Sequence, residues 1–234
     1  MKKILITGAS RGIGLELTKQ LSTIGHHVYA TCRQPNKANQ LNSIKNVSPE
    51  NIQVLKMDVE DETSIEECCR YLESKNEKID ILFNNAGIID WNDLHDISAT
   101  SAEKIYKVNL VGSLLVTKYA LSILQNSTSS TIINLSSRLG SISLRGETQL
   151  GGAIAYQCSK AALNMLTKQS SIDLKSKNIK VISQSPGWVK TEMGGENAKY
   201  EVAESVSKII STLKNLEKIE TGSFIGEDGI EIPW

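Results

Sequence analysis

Short apolar runs alternate with longer stretches of helical period along the whole chain. Runs rich in Ile, Val, Leu and Thr at 3–7 (KILIT), 27–31 (HVYAT), 52–56 (IQVLK), 79–83 (IDILF), 131–135 (TIINL), 179–184 (IKVISQ) and 222–226 (GSFIG) read as strands. Helical patterns fall between them, near 11–24, 36–44, 61–76, 99–126, 153–177 and 198–214. Repeated β-α units of this kind predict an α/β fold, a Rossmann-type doubly wound parallel sheet of about seven strands with helices on both faces. Nothing in the chain resembles a linker or a repeat, so residues 1–234 are read as a single domain. In such a sheet the ligand belongs across the carboxyl ends of the strands.

Charge narrows the class of ligand. Lys plus Arg balances Asp plus Glu at 26 each, so no overall field favours nucleic acid or an acidic membrane surface, and the expected partner is a small molecule. Cys32, Cys68, Cys69 and Cys158 contain no C-x-x-C pair, and the three histidines show no zinc-type spacing, so no metal is expected and the compartment is read as reducing. The apolar run before Gly8 is too short for a signal-peptide core, and no stretch approaches the roughly 20 apolar residues of a membrane span. A cytoplasmic location follows as an expectation.

The first strand leads into "LITGASRGIG", which places Gly8, Gly12 and Gly14 at the opening of the first helix. A Cβ at such glycines would block a tight turn and the approach of a pyrophosphate, whose charge a helix N-terminus stabilises. Ser10 and Ile13 belong to the same turn. The second strand runs out through "ATCRQP" with no carboxylate to hold a ribose 2′-hydroxyl. Arg33 there, with Arg11 in the glycine turn, favours NADPH over NADH. After the third strand, Asp58 and Val59 are placed to border the adenine, although Asp58 equally suits a helix N-cap.

Two tyrosines stand four residues before a lysine: Tyr156 before Lys160 in "YQCSK", and Tyr71 before Lys75 in "YLESK". Spacing alone does not separate them, because residues at i and i+4 meet on any helix. Order along the chain does. "TGASRGIG", "NNAG" at 84–87, Asn109 in "KVNL", "NLSS" at 134–137, "YQCSK" at 156–160 and "PGWVKT" at 186–191 together resemble the short-chain dehydrogenases/reductases, in sequence order and over the whole chain. Within that family the sequence is similar to the C-factor and sniffer-type carbonyl reductases.

The resemblance implies a catalytic set of Asn109, Ser137, Tyr156 and Lys160. Hydride reduction of a carbonyl leaves negative charge developing on oxygen, which calls for a proton donor and a hydrogen-bond donor. The family assigns these to Tyr156 and Ser137, with Ser136 the competitor for the second role. Lys160 is expected to lower the phenol pKa and to bind the nicotinamide ribose, and Asn109 to interrupt helix hydrogen bonding and hold a relay water. Asn85, Ala86 and Gly87, after Asn84, are expected beside the adenosine ribose, and Pro186, Gly187, Val189 and Thr191 near the nicotinamide carboxamide. Tyr71 and Lys75 then revert to an exterior helix face, and Cys158 reads as a small buried residue.

One departure from the family pattern is the 18 residues between Ser137 and Tyr156, which read as a loop at the site mouth carrying Leu139, Leu144 and Arg145. Trp188, Met193, Trp91 and Ile88 are candidates to line a pocket for a small hydrophobic carbonyl compound. The long helices suggest a homodimer. The first reading is therefore an NADPH-dependent carbonyl reductase; the second, from a different class, is a nucleotide-binding regulatory protein of C-factor type.

Overall fold

The computed structural model describes residues 1–125, 127, 129–146 and 151–234. Seven strands form one parallel sheet: β1 (Lys3–Ile6), β2 (His27–Cys32), β3 (Ile52–Lys56), β4 (Ile81–Asn84), β5 (Ser130–Leu135), β6 (Ile179–Gln184) and β7 (Phe224–Ile225). Their order is β3-β2-β1-β4-β5-β6-β7, so the chain reverses its direction of travel between β1 and β4. The crevice outside that reversal is where a doubly wound sheet receives a ligand.

Alternation along each strand divides the core in two. Ile4 and Ile6, Ile81 and Phe83, Ile133 and Ile182 face one layer, where Leu17 and Leu21 of α1 (Gly12–Thr23), Leu41 of α2 (Asn39–Val47) and Val206 and Ile209 of α7 (Val202–Leu213) cover them. Leu5, Leu82, Ile132 and Val181 face the other, against Ile65 and Leu72 of α3 (Glu62–Ser74) and Val116 and Ile123 of α5 (Ser113–Gln125). Most expected elements appear with ends moved by a few residues. The stretch expected as a helix at 36–44 divides into a 3-10 turn at Pro35–Lys37 and α2, because Pro35 supplies the fixed φ that opens a short turn.

The helix expected at 99–126 is interrupted. α4 (Ala99–Tyr106) passes through a wide π-turn at Lys107–Gly112 before α5 begins. Contrary to the expectation from consecutive apolar residues, Ala99–Gln125 is long and apolar enough by length and composition to cross a membrane, since its Gly, Ser and Thr positions do not lower the average enough. Half of that apolar window is buried in the protein, where it packs as a core helix.

The last long helix, α6 (Ile154–Asp173), meets the sheet through polar groups. Asn84 Nδ2 donates to Asn134 Oδ1 at 2.8 Å, Asn134 Nδ2 donates to Thr167 Oγ1 at 2.8 Å, and Thr167 Oγ1 lies 2.8 Å from Ser183 Oγ. This row crosses β4, β5, α6 and β6 out of contact with water, so every member depends on its neighbour. Asn134→Ala is expected to destabilise the protein by about 1–3 kcal/mol, the cost of leaving a buried polar group short of a partner, measured as a shifted urea midpoint at unchanged slope.

Candidate active site

The nucleotide end is built where β1 and β4 diverge. Thr7 follows β1, and its Oγ1 accepts from the backbone amides of Asn85 and Ala86, 3.0 Å away in each case. Asn85 Nδ2 returns donors to the carbonyls of Thr7 (2.8 Å) and Gly8 (3.1 Å). Gly8 adopts φ +66°, and a Cβ on it would lie 3.0 Å from the Cα of Ala86. A Cβ on Gly14 would stand 2.5 Å from both Asn85 Nδ2 and the Gly8 carbonyl. The glycine turn and the "NNAG" loop are therefore interlocked, and the turn opens α1 without any side-chain cap on its N-terminus. Ile13 is half-buried against the core beneath.

A cavity of about 440 Å³ lies beside this turn, lined by Ser10, Cys32, Arg33, Gln34, Lys37, Ala38 and Asp58. It gathers Ser10, Arg33 and Asp58, as the sequence predicts, and adds Lys37, which sequence reasoning missed. The available signal was Pro35: the 3-10 turn it opens carries Lys37 back toward the strand end. The two arginines are paired with carboxylates, Arg33 with Glu60 at 3.6 Å and Arg11 with Glu192 at 2.5 Å. The cap of α3 is Asp61, which accepts from the Thr63 amide, so the N-cap role weighed for Asp58 falls to its neighbour. Val59 packs on the π-turn, where a Cβ at Gly112 would meet its carbonyl at 2.8 Å.

The second half of the site gathers at the carboxyl end of β5. Ser136 Oγ donates inward to Asn164 Oδ1 at 2.7 Å. Ser137 points the other way: it caps the 3-10 turn Arg138–Gly140 by accepting from the Leu139 amide at 3.1 Å, and its hydroxyl lies toward the Tyr156 phenol and favours phenolate there. Lys160, one helical turn beyond Tyr156, is buried and donates from Nζ to the Leu135 carbonyl at 2.7 Å, with its ammonium 5.7 Å from the centre of the Tyr156 ring. Asn109 lies in the π-turn, where its side chain clasps the backbone of Ile88, accepting from the amide at 2.8 Å and donating to the carbonyl at 2.9 Å. A Cβ on Gly87 would stand 3.4 Å from Asn109 Oδ1 and 3.6 Å from Lys160 Nζ, which brings the "NNAG" loop, the π-turn and α6 to one point.

Two residues missed from the sequence hold these parts together. Gly140 lets the 3-10 turn lie directly on α6, since a Cβ there would be 2.7 Å from the Lys160 carbonyl carbon. Tyr200 supports the "PGWVKT" segment by pairing with Val189, and its ring covers Gly187, which takes φ +77°. Pro186 anchors the segment through its carbonyl, which accepts from Ser205 Oγ at 2.7 Å. Thr191 closes it back on the glycine turn, its methyl 3.6 Å from where a Cβ on Gly12 would be.

Electrostatics differ from expectation in one respect. The phenol of Tyr156 is raised, not lowered, because burial disfavours phenolate and only the Ser137 hydroxyl opposes it. Lys160, drawn to the Leu135 carbonyl, is itself lowered to about 8 by burial. Cys158 also departs from expectation: it is exposed, since the helix face opposite buried Tyr156 meets solvent. Tyr71 and Lys75 lie on the outside of α3, with Tyr71 bonded to Gln53 and far in the fold from the serine-bearing strand end. Trp91 and Trp188 are half-exposed and Ile88 and Met193 partly buried; Ser141 and Ser143 of the 138–155 loop bond Pro233 and Trp234, and residues 147–150 of that loop lie outside the described residues.

A doubly wound sheet with an interlocked glycine turn at its switch point, and a Ser-Tyr-Lys cluster at the next strand end, defines the class as a dinucleotide-fold oxidoreductase. The family model for short chain dehydrogenase matches residues 2–201, and the chain belongs to that family. Among its relatives, C-signal of Myxococcus xanthus is 34% identical over 67% of this chain and 93% of that protein. L-xylulose reductase of Caenorhabditis elegans is 31% identical over 97% and 94%. Among solved structures, the NADPH-bound carbonyl reductase from chicken fatty liver superposes with a TM-score of 0.92 at 32% identity, over 100% and 99% of the two chains. Carbonyl reductase Sniffer of Drosophila melanogaster superposes with a TM-score of 0.91 at 33% identity, over the full length of both chains.

The buried ammonium makes a stability prediction. Lys160 has a folded-state pKa below its unfolded value, so the unfolded chain binds more protons between the two and stability rises with pH from about 8 toward about 10.4. Lys160→Met is expected to stabilise the cofactor-free protein by on the order of 3 kcal/mol near pH 7, with the gain fading across that interval in pH-dependent thermal melts.

Proposed function

We propose that this chain is an NADPH-dependent carbonyl reductase that reduces an aldehyde or ketone with a small hydrophobic body, with Tyr156 as general acid. The observation that carries the reading is the placement of Ser137, at the end of β5, toward the Tyr156 phenol and beside buried Lys160, whose Nζ donates to the Leu135 carbonyl. Two hydroxyl donors converge there on a site a carbonyl oxygen can share. The similarity to two carbonyl reductases over nearly their whole length supports it.

The residues present fit a dinucleotide. Gly8 and Gly14 let the glycine turn lie directly against the "NNAG" loop, and Arg33 and Lys37 offer two cations beside Ser10 and Asp58 where a 2′-phosphate is expected. When bound, NADPH supplies the hydride. Ser137 holds the carbonyl oxygen by its hydroxyl, and Tyr156 delivers a proton to that oxygen as charge develops on it. A neutral phenol in a buried setting suits an acid, because it stays protonated at working pH until the oxygen demands the proton. Lys160, with its proton affinity lowered toward neutral, restores the proton to Tyr156 and is placed to hold the nicotinamide ribose. Asn109 orients the backbone at Ile88 and so the "NNAG" loop. Asn85, Ala86 and Gly87 flank the adenosine side, and Pro186, Gly187, Val189 and Thr191 the carboxamide.

A protein acting through nucleotide occupancy alone has no need of this hydroxyl pair, which is why the enzyme is preferred over the regulatory reading. Exposed Val111 and Leu114 on the π-turn and α5, with Met165 on α6, support a homodimer through these helices. Sedimentation is expected to give twice the chain mass, and Leu114→Glu a monomer.

Tyr156→Phe is expected to lower kcat by roughly 10²–10⁴-fold, and Ser137→Ala by roughly 10²–10³-fold, in steady-state assays with a panel of aldehydes and ketones. Arg33→Ala combined with Lys37→Ala is expected to reduce the preference for NADPH over NADH by roughly 10–100-fold in kcat/KM, the loss of charge-assisted bonds to a phosphate. Retention of that preference would show that residues other than Arg33 and Lys37 read the 2′-phosphate, whereas a wild-type preference for NADH would argue for a cofactor without it.

A further inference from the structure

Among the described residues, the charged side chains with less than a tenth of their surface exposed are Lys160, at 4%, and Glu227, at 5%. The proposed chemistry uses the first and not the second. Glu227 follows β7, in the turn that leads to the last residues of the chain, and its Oε2 lies 3.6 Å from a guanidinium nitrogen of Arg138. Arg138 is the residue after Ser137 and the first of the 3-10 turn that Ser137 caps.

The contacts of this pair reach both walls of the site. A Cβ on Gly226 would be 2.7 Å from the Arg138 guanidinium, so glycine at that position opens the path by which Arg138 crosses to the carboxylate. On the far side, a Cβ on Gly187 would be 3.1 Å from the Glu227 carboxyl carbon and 2.8 Å from the Tyr200 ring. The turn that begins Pro186–Val189 therefore rests on the carboxylate itself. A carboxylate held out of water costs several kcal/mol unless it is paired; Glu227 Oε2 accepts no hydrogen bond, so its burial is offset by the charge of the Arg138 guanidinium 3.6 Å away, with Lys199 adding a second positive field.

We propose that Arg138 and Glu227 are a positioning pair, which locks the Ser137 turn to the Pro186–Val189 turn so that the serine hydroxyl and the carboxamide-binding backbone hold one spacing. The inference rests on the reductase reading for what the spacing serves, but the coupling itself is a property of the chain. Neither side chain touches the reacting atoms; each acts through the turn it holds. A shift of a few tenths of an ångström to 1 Å in Ser137 leaves cofactor binding intact and weakens the hold on the carbonyl oxygen, which falls on turnover.

The test uses the full chain and Arg138→Gln, whose side chain is 45% exposed and so tolerates replacement. Hydrogen-exchange mass spectrometry, with and without NADPH, is expected to show faster amide exchange in Arg138→Gln at both 137–140 and 186–190, although the substitution lies in only the first segment. With a carbonyl substrate, Arg138→Gln is expected to lower kcat by about tenfold or more, with a smaller weakening of NADPH binding from the loosened 186–190 turn. Arg138→Lys is expected to recover most of the loss, and adding Glu227→Gln to Arg138→Gln to cost little more, as members of one pair behave. Unchanged exchange at 186–190, or wild-type kcat in Arg138→Gln while Tyr156→Phe is inactive, would overturn the pair and leave the reductase reading standing. If wild-type protein reduces no carbonyl, the reductase reading fails, and the exchange pattern alone decides for or against the pair.

Discussion

An ammonium group removed from water is the constraint on which the site end of this protein depends. Lys160 donates to the Leu135 carbonyl at the last residue of β5, and that bond ties α6 to the strand end from which Ser137 emerges. Around it, the π-turn brings Asn109 to the backbone of Ile88, and Gly87 passes within a methyl's reach of both. Every neighbour is therefore specified closely: small where the chains cross, polar where a donor needs an acceptor. The result is a charged group whose burial is costly unless its hydrogen bonds are met, and the Leu135 carbonyl meets one of them.

The sheet supports this arrangement in two different ways. On the layer facing α1 and α7 it is sealed by aliphatic packing, whereas β4, β5 and β6 meet α6 through the row from Asn84 to Ser183. Apolar surfaces tolerate small sliding movements; a chain of buried hydrogen bonds does not, because each bond holds only over a narrow range of distance and angle. Using polar contacts under α6 thus fixes the height of Tyr156 and Lys160 over the sheet.

Much of this was legible in the sequence because it is local. Period-2 apolar runs mark strands whatever they later pair with, and the Gly8–Gly14 spacing names a turn that only a few backbones can make. The Tyr156–Lys160 spacing acquired meaning only from its place after "NLSS", and the same spacing at Tyr71 and Lys75 belongs to an outer helix. What stayed hidden is long-range. Lys37 joins the cavity through a 3-10 turn, Glu227 meets Arg138 from beyond α6, β6 and α7, and no periodicity records either. Cys158 reads as buried from its small size alone, whereas Tyr156 two residues earlier takes the interior face and leaves Cys158 exposed. The phenol was expected to be lowered by its lysine neighbour because spacing gives reach, while the direction of Lys160 is set by a carbonyl on another element.

Gly140 shows how closely backbone contact and chemistry are joined here. The 3-10 turn approaches α6 so nearly that a single methyl at this position would press on the backbone of Lys160. That approach is what brings a serine on a strand end toward a tyrosine on a helix, although the serine side chain is short. A longer side chain in place of Ser137 could span a wider gap, but it would bring more rotatable bonds and a less certain oxygen position. Close backbone packing removes that freedom before any ligand arrives, and a preorganised pair of donors spends less of its interaction on ordering itself when charge develops on the substrate oxygen. The same logic extends outward to Arg138, whose turn can press against α6 only while something on its other side holds it there.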